Sequence, residues 1–331
     1  MGGFVTAWDF HRIPLHVYPR ERIPMESVMH AASPYRMSPE VTRAPSALAR
    51  GVRAISFTGA ALLMVSCNEG VLDPHGPVGR AERVILYDST AIMLAVVIPV
   101  IVLTLVFAWW FRAGNSRARY RPDWEYSGRI EMIIWSIPAL IVLFLGGIAW
   151  TGSHDLDPPA PLADSTAPLD IEVISLDWRW LFIYPQEGIA SLNRLVVPAG
   201  VPLRFRLTST TVMNSFFVPQ LGSQIYTMPN MVTRLNLKAD QPGTFEGLSA
   251  QFSGDGFSDM RFDLVSTEAE AFKAWVNATK MQGGVLDAST FEELNKPARA
   301  DGAKTYAQVS EGLFDRISAS HMAAVSPQRG Q

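Results

Sequence analysis

The chain has 331 residues, 28 Lys and Arg against 31 Asp and Glu, a formal net charge of −3, and 48% hydrophobic residues. That balance excludes the basic field that nucleic-acid binding requires, so no nucleic-acid partner is expected. The single cysteine, Cys67, excludes an internal disulfide and a thiol-rich metal centre, and none of the six histidines lies between residues 155 and 320.

Residues 1–36 show no sustained hydrophobic period and read as disordered or as an over-extended start, with Met37 as the initiator. Residues 37–66 have the pattern of a secretory signal peptide: Arg43, Arg50 and Arg53 precede an apolar run over 54–65. That run is too short to cross a bilayer core of about 30 Å. It ends in Leu63-Met64-Val65-Ser66-Cys67, and small residues before a cysteine resemble a bacterial lipobox. Cys67 is therefore a candidate lipidation site, with Met64 departing from the usual Leu; the alternative is an incidental cysteine behind a plain signal. Residues 67–86 are expected to form a periplasmic N-terminal segment.

Residues 87–150 predict a two-helix transmembrane hairpin. The 22 residues from 90 to 111 carry no charge and are long enough to span a hydrocarbon core. A second span runs over 130–150, and each span contains a proline, Pro99 and Pro138, which membrane helices tolerate. Trp109 and Trp110 suit the interfacial belt. Arg112, Arg117, Arg119, Arg121 and Arg129 lie between the spans, so the positive-inside bias puts this loop in the cytoplasm and both outer segments in the periplasm. Glu131 enters the second span. It reads either as an interfacial charge beside Arg129 or as an ionisable group with a function. Gly146, Gly147 and Ala149 mark the end of this span where another helix can approach closely.

The stiff run Asp157-Pro-Pro-Ala-Pro161 sits in a linker over 151–168. From 169 to 268 the period changes to two, with Ile171 and Val173, then Leu203, Phe205 and Leu207, then Leu235 and Leu237, then Phe262 and Leu264. Runs of that length between Pro-Ala-Gly, Gln-Pro-Gly and Ser-Gly-Asp-Gly turns predict an antiparallel sandwich. The aromatic run Asp177-Trp-Arg-Trp-Leu-Phe-Ile-Tyr184 reads as a core strand or as a docking surface.

The sandwich contains a Gly-studded loop between two strands, over 246–264. Ser249 and Ser253 are four apart, Phe257 follows four later and Met260 three after that. With Cys, Cys and His at the first three positions the spacing becomes Cys-x3-Cys-x3-His-x2-Met. That spacing resembles the binuclear copper loop of the cytochrome c oxidase subunit II family. The family's remaining ligand is a His ahead of Ser-Phe and Pro; here Asn214 precedes Ser215-Phe216-Phe217-Val218-Pro219. Of the protein ligands only Met260 survives, so no metal and no cofactor is expected in this chain. The run Gly222-Ser-Gln-Ile-Tyr-Thr-Met-Pro-Asn-Met-Val-Thr-Arg-Leu235 resembles the quinol-oxidase branch of the family, of bo type.

The resemblance implies a cupredoxin-like fold for the sandwich and haems and copper in a partner, haem–copper oxidase subunit I, with subunits III and IV beside it. It also implies quinol as reductant through the complex, and a bacterial inner-membrane location. The motif Glu131-x3-Trp135-Ser136-x-Pro138 is similar to the family's second-helix signature, whose glutamate lies by the entrance of a proton-uptake pathway. Residues 269–318 resemble the aromatic-rich C-terminal arm of this branch. Phe272, Trp275 and Val276 share a helix face there, a second helix starts at Thr290, and Tyr306, Val309, Leu313, Phe314 and Ile317 continue a helical spacing. Residues 319–331 read as a disordered tail.

Other chemistry finds little support. Met213, Met228, Met231 and Met260 suit core or interface filling better than a thioether copper site. Asp255 and Asp259 alone make no convincing calcium site. The serines have no neighbouring His to complete a triad, and no phosphate loop or dinucleotide fingerprint occurs. The expected function is that of a non-copper subunit II of a terminal quinol oxidase. The alternatives are a copper electron carrier of cytochrome c oxidase and a lipid-anchored periplasmic binding or assembly module.

Overall fold

The computed structural model describes residues 70–119, 125–299 and 302–320. The signal peptide, Cys67, Arg121 and the tail from 321 onward lie outside the described residues.

Among the described residues two helices are long and apolar enough to cross a membrane: α1, Pro77–Trp110, and α2, Gly128–Asp155. Pro77 takes the first helical position, where its fixed φ suits a helix start and its missing N–H is not needed. Helix α1 thus begins inside the stretch expected to be a periplasmic N-terminal segment, ahead of the predicted hairpin. At 1.5 Å per residue its 34 residues span roughly 51 Å, so it must project well beyond a hydrocarbon core of about 30 Å. Pro99 and Pro138 lie inside their helices without ending them. The Arg112 guanidinium stacks over Trp109 at 5.2 Å, joining the cationic loop to the interfacial ring. The helices approach closely at Gly152, where an added Cβ would lie 2.8 Å from Ile85 Cδ1. Gly146 and Gly147 have open space around them instead, so the close contact within this chain lies one to two turns later than those glycines.

The projecting end of α1 docks on a β-sandwich of twelve strands. In chain order these are β1 Leu169–Leu176, β2 Arg179–Tyr184, β3 Ile189–Leu192, β4 Arg194–Pro198, β5 Pro202–Ser209, β6 Asn214–Val218, β7 Gly222–Thr227, β8 Thr233–Lys238, β9 Gly243–Ser249, β10 Arg261–Thr267, β11 Gly284–Leu286 and β12 Lys304–Val309. One sheet has the order β11-β12-β3-β2-β1-β5-β8 and the other β4-β10-β9-β6-β7. Most neighbours are antiparallel, but β1 with β5, β4 with β10 and β11 with β12 run parallel.

The alternation in β2 divides its side chains between two cores. Trp180, Phe182 and Tyr184 face the other sheet, where Phe216 and Phe262 stack at 5.2 Å and Trp180 meets Phe216 edge-on at 5.5 Å. Leu181 and Ile183 face the opposite way, into a second core with Ile174, Leu176, Leu286, Leu313, Phe314 and Ile317. Trp180, Phe182 and Tyr184 are fully buried, so these rings serve the fold and do not form a docking surface.

The second core is closed by the C-terminal arm. It contains the expected helices, α3 Ala269–Gln282, α4 Ala288–Leu294 and α5 Leu313–Ser320. It also contributes β11 and β12, which the helical spacing of Tyr306 and Val309 does not predict. The edge of β3 offers unpaired backbone groups, and β12 satisfies them with Tyr306 opposite Ala190; tertiary pairing overrides a short local pattern. Asp287 caps α4 by accepting from Thr290 N–H at 2.8 Å, and that bond holds its carboxyl below the usual carboxylate range. Buried Arg179 fastens the arm to the sheet by donating to the carbonyls of Leu294 and, at 2.9 Å, Lys296.

A glycine-backed seam fixes the sandwich to α1. Gly76 lies so close to the Lys238 carbonyl that an added Cβ would sit 2.3 Å from its oxygen. His75 N–H donates to Gln220 at 2.7 Å, Gly79 N–H to Leu221 at 3.0 Å, and Asp240 N–H to the His75 carbonyl at 2.9 Å. The Arg80–Asp240 ion pair and the Ser223–Glu82 hydrogen bond extend the seam along the helix.

Tyr184 joins β2 to the edge of the other sheet. Its hydroxyl donates to the Val196 carbonyl and accepts from Val196 N–H, both at 2.9 Å, and complete burial pushes its ionisation far above the normal phenol range. Tyr184→Phe keeps the ring and leaves both backbone groups of Val196 unpaired. It is expected to destabilise the domain by about 1–3 kcal/mol in denaturant titration; no loss would mean that water or another group replaces the hydroxyl.

Candidate functional site

The two segments that carry the copper-loop resemblance meet at one end of the sandwich, away from the α1 seam. Asn214 opens β6 and Ser249 closes β9, and these strands pair with Phe216 opposite Ser249. Gly222, at the other end of the β6–β7 hairpin, packs on Val78 of α1. Five residues of strand, roughly 17 Å, thus separate this site from the seam.

Asn214 and Ser249 are almost completely buried, and they bond to each other. The Ser249 hydroxyl donates to Asn214 Oδ1 at 3.1 Å. Asn214 Nδ2 turns towards the Val212 carbonyl at 3.4 Å and Ser175 Oγ at 3.5 Å, and Ser175 Oγ shares a 2.8 Å bond with Thr227 Oγ1. Thr227 Oγ1 also reaches the Asn214 carbonyl at 3.4 Å. Hydroxyls and one amide therefore form a closed network across β1, β6, β7 and β9. Buried polar groups require such partners, because an unpaired one costs about 1–3 kcal/mol.

The other positions have moved apart in character. Ser253 Oγ is buried with no hydrogen-bond partner among the described residues. Phe257 starts a short 3-10 turn, Phe257–Asp259, and its ring meets exposed Phe252 edge-on at 5.5 Å. Met260 is buried in the main core. The loop between them is pressed onto Trp178: Trp178 Nε1 donates to the Ser253 carbonyl at 3.0 Å, and a Cβ at Gly256 would lie 2.4 Å from the indole. Trp178 itself holds φ of 67°, a left-handed conformation that bulky residues rarely adopt. The loop glycines and this strained turn fit each other.

A cupredoxin-like copper pair needs soft thiolates and imidazoles. The donor set here is one amide, two hydroxyls, a phenyl ring and one thioether, and the amide and one hydroxyl already satisfy each other. These residues do not fit copper. Among the described residues no group of three or more His, Cys, Asp and Glu side chains could hold a metal ion. Asp255 and Asp259 are carboxylates on the same loop without a third partner.

Glu131 lies far along the chain from this network, in the first turn of α2. It is exposed, and its carboxylate has no ion-pair or hydrogen-bond partner among the described residues, Arg129 included. The structure therefore places Glu131 and the loop positions on different elements and does not bring them together. The sequence pattern did not foresee Ser175 and Thr227, because two buried hydroxyls in strands carry no spacing signal.

If the network holds this end of the sandwich together, Asn214→Leu should lower unfolding stability by about 1–3 kcal/mol through the unpaired hydroxyls it leaves. Chemical denaturation of the purified chain measures this. A change under about 0.5 kcal/mol, the ordinary size for an indifferent site, would mean that the cluster is incidental.

The family model described as cytochrome c oxidase subunit II, periplasmic domain, matches residues 171–266, which run from β1 to β10. Cytochrome bo(3) ubiquinol oxidase subunit 2 of Pseudomonas aeruginosa is 47% identical over 257 residues, 78% of each chain. Ubiquinol oxidase subunit 2 of Acetobacter aceti is 45% identical over 276 residues, 83% of this chain and 89% of its own. Among solved structures, the periplasmic domain of subunit II of cytochrome oxidase from Bradyrhizobium japonicum is 25% identical. It covers 37% of this chain and 97% of its own, with a TM-score of 0.34. Two apolar helices, a sandwich matched from β1 to β10 and relatives of this identity over most of the sequence lead to one conclusion: the chain belongs to the cytochrome bo-type ubiquinol oxidase subunit 2 family.

Proposed function

We propose that this chain is the copper-free subunit II of a terminal quinol oxidase, acting as scaffold and periplasmic cover and contributing Glu131 to proton uptake. The observation that carries the reading is the closed amide–hydroxyl network at Asn214 and Ser249, where a copper carrier would need soft donors. Quinol delivers electrons from within the membrane, so a metal on the water side has no electron to accept. The haems, the copper and the oxygen chemistry belong on this reading to a catalytic partner subunit, with subunits III and IV completing the complex. No step of that chemistry is assigned to residues of this chain.

Three features support the scaffold and cover roles. Val212, Met213 and Phe252 are exposed apolar residues around the loop end of the sandwich, which suits contact with another protein surface. Both membrane helices expose apolar residues along their length, leaving faces for partner helices as well as lipid. Gly146 and Gly147 have open space around them, which allows a partner helix to come close. Glu131 is suited to passing protons because it is a carboxylate at the membrane edge without a counter-ion among the described residues. Lipidation at Cys67 would add an anchor outside to a hairpin that already spans, and two or three acyl chains hold firmly where one holds weakly.

Two experiments test this. Purification of the chain from membranes is expected to bring haem absorption and quinol oxidase activity with it, and no stoichiometric copper in the chain itself. Paired copper bound to the purified chain, or direct acceptance of electrons from a soluble cytochrome, would overturn the reading. Glu131→Ala is expected to slow turnover several-fold while the complex still assembles. Unchanged turnover in an intact complex would remove the proton role and leave the scaffold.

A further inference from the structure

The outer face of the seven-stranded sheet has two covers. The C-terminal arm lies over β1, β2 and β3. Residues 156–168, which follow α2, lie over β8. Asn236 N–H donates to the Pro158 carbonyl at 3.0 Å, and its side-chain amide donates to the carbonyls of Pro158, Pro159 and Ala160. Between this linker and the sheet lies a groove of about 660 Å³. Its size is that of a small-molecule site, and its walls are rigid because prolines 159, 161, 168, 185 and 202 line it.

The charges on its floor are nearly all matched. Asp170 is held by Arg204, with Arg204 Nη2 at 2.8 Å, and it also accepts from Gln186 at 2.7 Å. Glu172 accepts from Arg206 at 2.8 Å, and the second arm of Arg206 reaches Asp315 at 2.7 Å. Asp164 accepts from Lys238 at 2.6 Å, which helps to hold its carboxyl down at about 2. Arg234 is the exception. It is exposed, lines the groove, and has no ion-pair or hydrogen-bond partner among the described residues. It also stands directly opposite Arg206 on the neighbouring strand, a like-charge cross-strand pair. Glu172 and Asp315 offset the charge of Arg206, which leaves the Arg234 guanidinium as the unmatched one of the pair among the described residues. A cation entering the groove finds each of these carboxylates already holding a basic side chain, whereas an oxyanion finds a free guanidinium.

We propose that this groove binds the phosphodiester headgroup of a membrane phospholipid, with Arg234 as the anchoring residue. The apolar proline walls suit the glycerol and the first methylenes of an acyl chain, and a guanidinium matches a phosphate with paired N–H donors. The chain path puts the groove near the outer end of the membrane hairpin. Pro159 is only four residues past Asp155, the end of α2, so the wall of the groove lies within roughly 14 Å of the helix terminus. A lipid is favoured over a free anion because the cavity is far larger than one phosphate and mostly apolar in its walls.

The test uses the full chain purified in a nonionic detergent, titrated calorimetrically with dihexanoyl phosphatidylglycerol, dihexanoylglycerol and inorganic phosphate. The phosphatidylglycerol is expected to bind at one site per chain, more tightly than either of the other two. Arg234→Gln should weaken that binding on the order of tenfold, the size of a lost charge-assisted hydrogen bond. Arg234→Lys should retain part of it, and Arg261→Gln, outside the groove, should leave it unchanged. Equal binding by Arg234→Gln and the parent chain overturns the proposal. Equal affinity for dihexanoylglycerol overturns headgroup recognition, inorganic phosphate binding as tightly as the lipid overturns the lipid as occupant, and the absence of saturable lipid binding overturns the site altogether.

Discussion

The approach of Gly76 to the Lys238 carbonyl is the constraint on which the rest of the molecule hangs. No other residue fits at that distance, so the chain enters α1 with its backbone against the sandwich. Three backbone hydrogen bonds and an ion pair then lock the start of α1 to the turn between β6 and β7 and to the segment after β8. A flexible tether would let the domain wander. A helix that emerges from the membrane and continues into the domain fixes its height and heading instead. The linker after α2 is pinned at a second place, by Asn236, so the domain is held from both membrane helices.

With the orientation set, the loop end of the sandwich is held at a fixed distance from the membrane helices. That end carries the loop whose spacing resembles a copper-binding loop, with an amide and hydroxyls in place of soft donors. The glycines at 254 and 256 still fold the loop tightly over Trp178, and Met260 still sits in the core. The positions that would grip a metal have become part of the packing: Asn214 and Ser249 satisfy one another, and Phe257 joins Phe252 in an apolar corner. On the proposed reading the fold has kept the shape needed by its neighbours and given up the redox role.

The sequence made some of this plain and hid the rest for physical reasons. The two spans and the sandwich core were readable because long apolar runs and period-two alternation reflect burial directly, as in Trp180, Phe182 and Tyr184 against Leu181 and Ile183. The expectation for 214, 249, 253 and 257 rests on ligand spacing, which is rigid enough to be compared from sequence alone. The dual burial of β2 was not, because it depends on an arm that arrives more than a hundred residues later. The strand at Lys304–Val309 was missed since six residues hold too little pattern to separate a strand from a helix, and the edge of β3 decided the matter. The extension of α1 to Pro77 was missed because Arg80, Glu82 and Arg83 look like loop charges until Asp240 and Ser223 are seen beside them.

The seven-stranded sheet carries a consequence for biogenesis. Its edge at β3 is completed only by β12, from near the C-terminus of the chain. During export the earlier strands emerge first, and the parallel pairings of β1 with β5 and β4 with β10 already require distant segments to meet. Until the segment Lys304–Val309 follows, the outer face of β2 and the bare edge of β3 stay uncovered, an adhesive surface of the kind that invites strand-to-strand misassembly. The cover that Arg179 fastens, through the carbonyls at 294 and 296, therefore comes from chain that emerges well after the strands it shields.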